Sequence, residues 1–145
     1  GIGGIAPSLC DLSRSYEQAD QAIRVGSLFG LKSQIFDHEN LVLERFMMDC
    51  APRQAEPYIA VLFNPATEKL FNEEMLDTVN VFISRDLNLT DAARDLYIHR
   101  NTLVYRLDKI QKVTGLDLRH FRDAMLFKLL NDLRKKHQNS IGNPS

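Results

Sequence analysis

The chain has 145 residues, of which 44% are hydrophobic and 26% are charged, and its formal net charge is −1. These values are typical of a soluble protein of one domain, or of one domain and part of another. No apolar run approaches the roughly 20 residues that a membrane-spanning helix needs, and no secretory leader is visible. The two cysteines match no metal-ligand spacing and are expected to be reduced thiols in a cytoplasm. Because the chain begins at Gly1 and not at Met, we expect a fragment.

The near-neutral total conceals an uneven distribution of charge. Eleven Lys and Arg residues but only six Asp and no Glu lie between Leu89 and Lys136, so this segment carries +5. The rest of the chain therefore carries −6. A basic segment joined to an acidic body is typical of a DNA-binding module beside a regulatory one. Solvated helix faces that differ in charge are the alternative interpretation.

The first 37 residues are predicted to form a short β-α-β arrangement. Gly1–Ile5 and 34–36 have the composition of short strands, and Ser15-Tyr16-Glu17-Gln18 has the pattern of a capping box at a helix start. Asp37 is expected to cap the next helix, which carries apolar residues between Leu41 and Met48.

The second half of the chain is predicted to be helical. A short helix is expected at 58–63, after a break bracketed by two prolines, and Asn72 is expected to cap a stronger one over 73–86. Three further helices are predicted at 90–96, 100–112 and 118–136. Gly115 suits the left-handed end of a helix, and Asp117 the cap of the next.

The helices at 90–96 and 100–112 are separated by three residues, Tyr97-Ile98-His99. Two helices that cross steeply through so short a turn form the DNA-binding helix-turn-helix. Ala93 suits the point where the helices approach each other. The apolar residues expected to pack beneath the pair are Leu96, Ile98, Leu103, Leu107 and Ile110.

The opposite face of the second helix has the composition that DNA recognition needs. Arg can bind guanine and Asn can bind adenine through paired hydrogen bonds in the major groove, while hydroxyls and helix N-termini suit phosphates. His99 is expected either to cap the helix or to meet a phosphate. The predicted DNA-binding residues, all expected to project outward, are His99, Arg100, Asn101, Thr102, Tyr105, Arg106 and Lys109.

The run from Ile98 to Leu107, followed by Ile110 and Thr114-Gly115-Leu116-Asp117-Leu118, resembles the C-terminal helix-turn-helix of PucR/CdaR-type transcriptional regulators. The resemblance covers about residues 72–136, and the helix pair is also similar to that of the Fis nucleoid protein. It implies a regulator that binds double-stranded DNA as a homodimer. Tyr97 departs from the wider helix-turn-helix class, in which many members have Gly at this position, so the turn is expected to differ.

Upstream, residues 1–37 resemble the end of the degenerate GGDEF-like domain that precedes the helix-turn-helix in these regulators. The cyclase signature is absent, so no nucleotide chemistry is expected. The resemblance implies a small-molecule effector that is bound by a region outside this chain. The expected fold is mainly α, a helical bundle with a Fis-like helix-turn-helix and a β-α-β remnant. The expected divisions are a GGDEF-like fragment at 1–37, a helical packing region at 38–71, the DNA-binding domain at 72–137 and a flexible tail at 138–145.

Two other classes of function were weighed against DNA recognition. Catalysis is not expected, because the four histidines lie on separate predicted elements and neither cysteine has a marked partner. No cofactor and no metal is expected. The second alternative is an effector-binding or dimerisation module in which the helix-turn-helix is only structural. The apolar positions from Leu41 to Phe63 and on the last helix are compatible with it.

Overall fold

A computed structural model describes residues 1–50 and 52–141, and these residues form seven α-helices and no β-strand. The mainly helical fold agrees with the prediction. The helices are α1 (Leu12–Leu28), α2 (Val42–Asp49), α3 (Pro52–Leu62), α4 (Glu73–Ser84), α5 (Leu89–Asp95), α6 (Arg100–Thr114) and α7 (Phe121–Ile141). Within the described residues, no helix has a stretch long and apolar enough to cross a membrane.

The chain divides into two compact units. Unit 1 consists of Gly1–Ala55 together with Asp132–Ser145, and unit 2 consists of Glu56–Asn131. Both α3 and α7 therefore contribute residues to each unit. These units divide the chain at points other than the predicted domain boundaries, and unit 2 contains α4, α5 and α6 complete.

The predicted β-α-β remnant is wrong for the described residues. Only one isolated parallel bridge forms, between Ile2 and Asp37, in which Ile2 N–H donates to the Phe36 carbonyl at 2.7 Å. A parallel pair of strands needs neighbouring strands to extend its ladder and cover its faces. Without such neighbours, one bridge is all that residues 1–5 and 34–37 make.

The predicted capping box at Ser15 is also wrong, because α1 begins three residues earlier, at Leu12. The Ser15 hydroxyl donates to the Gly4 carbonyl at 2.7 Å, and the Gln18 amide oxygen accepts from Gly4 N–H at 2.9 Å. These two side chains thus bind the extended N-terminal segment to the middle of α1.

The boundaries of α4, α5 and α6 lie within two residues of the predictions, whereas those of α3 and α7 differ more. The helix α3 is longer than the predicted one and contains Pro57, which had been interpreted as part of a break. The helix α7 begins at Phe121, so Asp117 lies in a preceding turn and does not cap it. Residues 138–141, predicted as flexible, continue α7, and residues 142–145 lie outside the described residues.

The core of unit 2 holds the helix-turn-helix in place. Phe63, Phe71 and Phe127 make mutual ring contacts, with centroids 5.1 to 5.8 Å apart. Buried residues of α4, α5 and α6 join the same cluster. The cap predicted for α4 is confirmed, because the Asn72 side chain accepts from Met75 N–H at 2.9 Å.

Candidate nucleic-acid interface

The first helix of the pair, α5, is short and packs tightly. The Asn88 side chain caps it by accepting from Thr90 N–H at 2.9 Å and from Asp91 N–H at 3.2 Å. Ala92 is completely buried and Ala93 is 4% exposed. Small side chains at these positions let the backbones of α5 and α6 approach closely, as the sequence predicted for Ala93.

The turn between the helices passes through the left-handed region of backbone space. Tyr97 has a φ of +55°, and its side chain is 96% exposed. Ile98 N–H then donates to the Ala93 carbonyl at 3.0 Å and closes the turn. Glycine adopts this conformation without steric cost, whereas tyrosine does not. The turn therefore keeps the left-handed backbone that Gly provides elsewhere, but it presents an aromatic ring to solvent.

His99 is the N-cap of α6. Its Nδ1 accepts a hydrogen bond from Asn101 N–H at 3.1 Å. Of the two roles expected from the sequence, capping is the one that the structure shows. The Nε2 side of this exposed ring is not used by the cap.

The inner face of α6 is apolar and fully buried. Leu103, Leu107 and Ile110 have no exposed surface. Leu96 and Ile98 are half-buried and pack against the same cluster. The predicted packing of these five side chains beneath the helix pair is confirmed.

The outer face of α6 carries most of the predicted DNA-binding residues. Five side chains of this group project into solvent, namely Arg100, Asn101, Thr102, Tyr105 and Lys109. Because α5 and the buried leucines lie behind them, these polar and cationic groups are open to solvent along the first turns of the helix.

Arg106 corrects one expectation. It was predicted to project outward, but only 18% of its side chain is exposed. Its Nη1 donates to Thr78 Oγ1 at 2.7 Å, and its Nη2 pairs with the carboxylate of Glu74, so it faces α4. Successive residues of a helix are 100° apart, which places Arg106 within about 40° of buried Ile110. This spacing puts Arg106 at the edge of the buried face, and its partners on α4 turn it inward.

Lys112 is a further cation on the outer face of α6, outside the predicted set. It is exposed and lies seven residues after Tyr105, which in turn lies four residues after Asn101. Residues at such intervals share one face of a helix. The stripe of Asn101, Tyr105 and Lys112 therefore continues the outer face toward the end of α6.

The segment after α6 is held by Arg119. Its guanidinium donates to Asp117 at 2.7 Å, to Asp108 at 2.8 Å and to the Gln111 side chain at 2.8 Å. The hydrogen bond from Arg119 lowers the pKa of Asp117 below its ordinary 3.8. Gly115, with a φ of +78°, ends α6 as predicted. These hydrogen bonds hold the segment after α6 against the C-terminal half of that helix.

The helix pair and the segments on either side of it match a known domain. Residues 75–130 match a PucR-type helix-turn-helix, the family described as the PucR C-terminal helix-turn-helix domain. The matched residues lie within unit 2 and comprise α4 from Met75 onward, α5, α6 and the start of α7.

Three relatives of this chain come from Bacillus subtilis (strain 168). The uncharacterized protein YsfB is 33% identical over 84% of this chain and 32% of its own length. The purine catabolism regulatory protein is 26% identical over 89% of this chain and 24% of its own length. The DNA-binding transcriptional activator AdeR is 28% identical over 94% of this chain and 33% of its own length. The chain thus spans about a third or less of the length of each relative.

The described part of the chain contains no group of three or more His, Cys, Asp or Glu side chains that could hold a metal ion. Its acidic residues near α6 are engaged instead with arginines, as Glu74 is with Arg106 and Asp108 with Arg119. The chemistry that the site offers is hydrogen bonding and positive charge on an exposed helix.

Proposed function

We propose that this chain contains the DNA-binding module of a transcriptional regulator, with α6 as the helix that enters the major groove. The observation that carries the proposal is the polar first turn of α6, exposed on one side while Leu103 and Leu107 are fully buried on the other. Recognition helices of this class present their N-terminal residues to base edges. The PucR-domain match over 75–130 supports the same function.

The exposed residues divide by chemistry into two groups. Arg100 and Asn101 have the donors and acceptors that read guanine and adenine, and they lie at the start of the helix. The hydroxyls of Thr102 and Tyr105 and the ammonium of Lys109 suit phosphates, which position the helix without reading sequence. We add Lys112 to the phosphate group, because it lies on the same stripe as Tyr105.

His99 combines the two roles that the sequence left open. Since its Nδ1 accepts from Asn101 N–H, the neutral ring must carry its proton on Nε2. The Nε2–H group is then a donor on an exposed ring at the N-terminus of α6. We assign it to a phosphate, next to the helix terminus that itself favours anions.

The intact regulator is proposed to be a homodimer, because a two-fold operator pairs with a two-fold protein. We further propose that it is cytoplasmic and has no catalytic activity. Its response to a small-molecule effector would lie outside this chain. That residues 1–37 belong to a GGDEF-like regulatory domain stays a prediction, since the matched domain begins at residue 75. Arg106 is removed from the DNA-contacting set on account of its partners on α4.

The experiment is selection of bound duplexes from a random DNA pool, followed by titration of the selected duplex at several salt concentrations. The logarithm of the binding constant should fall linearly with the logarithm of salt, with a slope of about −0.9 per phosphate contacted. Arg100→Ala and Asn101→Ala should each weaken binding about tenfold or more and relax the preference at one base pair.

Arg24→Ala is the matched control, because Arg24 is an exposed arginine of α1, outside the matched domain. It should bind like the parent. A chain that retains no duplex and instead dimerises tightly would favour the alternative, an interaction module. In that alternative, Phe121 and Met125 on α7 would contact the partner, since they are apolar and 72% and 49% exposed.

A further inference from the structure

Arg106 lies on the recognition helix, yet its guanidinium is turned away from the exposed face. Its two partners, Thr78 and Glu74, are neighbours one turn apart on α4. Thr78 is completely buried, so no atom of its side chain can reach a ligand in solvent. The arginine therefore joins α6 to α4 through a hydroxyl inside the domain, on a residue 28 positions earlier in the sequence.

The contacts form a connected network. Thr78 Oγ1 accepts from Arg106 Nη1 at 2.7 Å and donates its own hydrogen to the Glu74 carbonyl at 2.8 Å. The Glu74 carboxylate pairs with the other end of the guanidinium. The side-chain conformations of Arg106 and Glu74 are thereby fixed relative to the backbone of α4. The reason is that the planar guanidinium donates hydrogen bonds in only a narrow range of geometries.

Arg106 lies close enough to the first turn of α6 for the network to affect the orientation of that turn. It follows the first turn of the helix, where Arg100, Asn101 and Thr102 are exposed, by about one further turn. Leucines behind α6 make contacts without direction, so they permit small rotations and shifts. A directional hydrogen bond from Arg106 limits those movements, and binding sites need placement to within about 0.5 Å and 10–20°.

We infer that Arg106 is a positioning residue: together with Thr78 and Glu74 it sets the orientation in which α6 presents its first turn to DNA, and it does not itself contact DNA. The inference rests on the proposed function. It predicts that the network can be weakened from the α4 side, at residues that never touch DNA, with loss of sequence-specific binding.

The test uses the whole chain and the duplex selected from the random pool, with a random duplex of equal length beside it. The three variants are Thr78→Val, Glu74→Gln and Arg106→Met. Each should bind the selected duplex about tenfold more weakly, while the salt slope stays near that of the parent. The affinity for the random duplex should change only by the small electrostatic effect of the charge removed: slightly tighter for Glu74→Gln, slightly weaker for Arg106→Met and unchanged for Thr78→Val. Circular dichroism first establishes a temperature at which every variant is folded, because a residue that only stabilises the fold would leave the affinity of folded protein unchanged.

Glu74→Gln is the sharpest variant. Glu74 has an exposed side chain, so its replacement is expected to fold, and it removes a negative charge from a domain that binds a polyanion. Electrostatics alone would therefore tighten binding, whereas loss of positioning weakens it for the selected duplex. Ser84→Ala controls for hydroxyl removal on α4, since Ser84 is exposed and donates only to the Val81 carbonyl. It should bind like the parent.

Arg100→Met is the matched comparison for an arginine on the exposed turn. If Arg106→Met behaves as a phosphate contact does, lowering the salt slope by about one on both duplexes, the inference is wrong. It is equally wrong if Thr78→Val and Glu74→Gln both bind the selected duplex like the parent. A parent chain that retains no duplex at all refutes the proposed function, and with it the role of Arg106 in presenting α6.

Discussion

At the scale of single residues, Tyr97 shows how strain and exposure coincide in the turn. Its backbone is left-handed, with a φ of +55°, and its ring is 96% exposed. A non-glycine residue in this region costs about 1–2 kcal/mol, and no burial of the ring offsets that cost here. The strained residue lies three positions before the start of α6.

Tyr97→Gly should raise the free energy of unfolding by about 0.5–1 kcal/mol, because glycine adopts the left-handed backbone freely but loses more entropy on folding. Tyr97→Ala is the control, since it removes the ring and keeps the strain. It should leave stability nearly unchanged. Urea denaturation measures both, and equal stability of the two variants would contradict the assignment of strain to the backbone.

His99 allows its two roles to be separated by substitution. His99→Ala removes the cap and should lower the free energy of unfolding by about 1 kcal/mol, whereas His99→Ser retains a capping oxygen and should restore most of it. Both variants lack the Nε2–H donor, so both should bind the selected duplex more weakly than the parent. Thermal unfolding and DNA titration test the pair. Full affinity in His99→Ser would rule out a phosphate contact by the ring.

At the scale of elements, the segment between α6 and α7 is held in place by the hydrogen bonds and ion pairs of Arg119. Arg119 is half-buried and donates to Asp108 and Gln111 on α6 and to Asp117 in the following turn. Asp117 N–H in turn donates to Asp123 on α7 at 2.9 Å. The path of the chain after α6 is therefore set by directional polar contacts as well as by the buried Leu118.

Arg119→Ala should lower the free energy of unfolding by about 1–2 kcal/mol at neutral pH. The difference in free energy of unfolding between parent and variant should become smaller in acid. The folded pKa of Asp117 lies below the unfolded 3.8, so the folded state binds fewer protons, and the stabilisation is present above pH 3.8 and is lost as pH falls through the lowered pKa. Urea unfolding of parent and variant across this range is the measurement. A difference that stays constant down to the lowest pH would contradict the role of Asp117.

At the scale of the whole molecule, α7 belongs to both units. Residues up to Asn131 lie in unit 2, and those from Asp132 lie in unit 1. In unit 1, Lys136 is 9% exposed and its ammonium donates to the carbonyls of Met47 at 3.0 Å, Met48 at 2.6 Å and Cys50 at 2.6 Å. A cation at the C-terminal end of α2 satisfies carbonyls that have no partner within the helix.

Lys136→Met should lower the stability of unit 1 by about 2 kcal/mol, because it leaves these carbonyls without their buried donor. Amide hydrogen exchange resolves the effect by location: protection should fall in α2 and remain unchanged in α6. Lys135→Met removes the same charge one residue earlier and serves as the control. Equal loss of protection in both variants would show that net charge, and not the cap, is responsible.

The sequence by itself determined the elements whose signals are local. Asn72 before α4 and Gly115 after α6 were predicted correctly, and the turn before α6 was predicted to within one residue, because caps and turns are decided by side chains within a few residues. The buried stripe of Leu103, Leu107 and Ile110 followed from helical periodicity in the same way. The PucR resemblance rested on these local patterns, and the matched domain agrees with it.

Only the tertiary structure decided what depends on partners far along the chain. Arg106 has the chemistry of a DNA contact, but its direction is set by Thr78 and Glu74, which lie about 30 residues earlier. Ser15 and Gln18 have the pattern of a cap, yet both bind Gly4. A polar side chain adopts the best hydrogen-bond partner within reach, and the fold alone determines which partners those are.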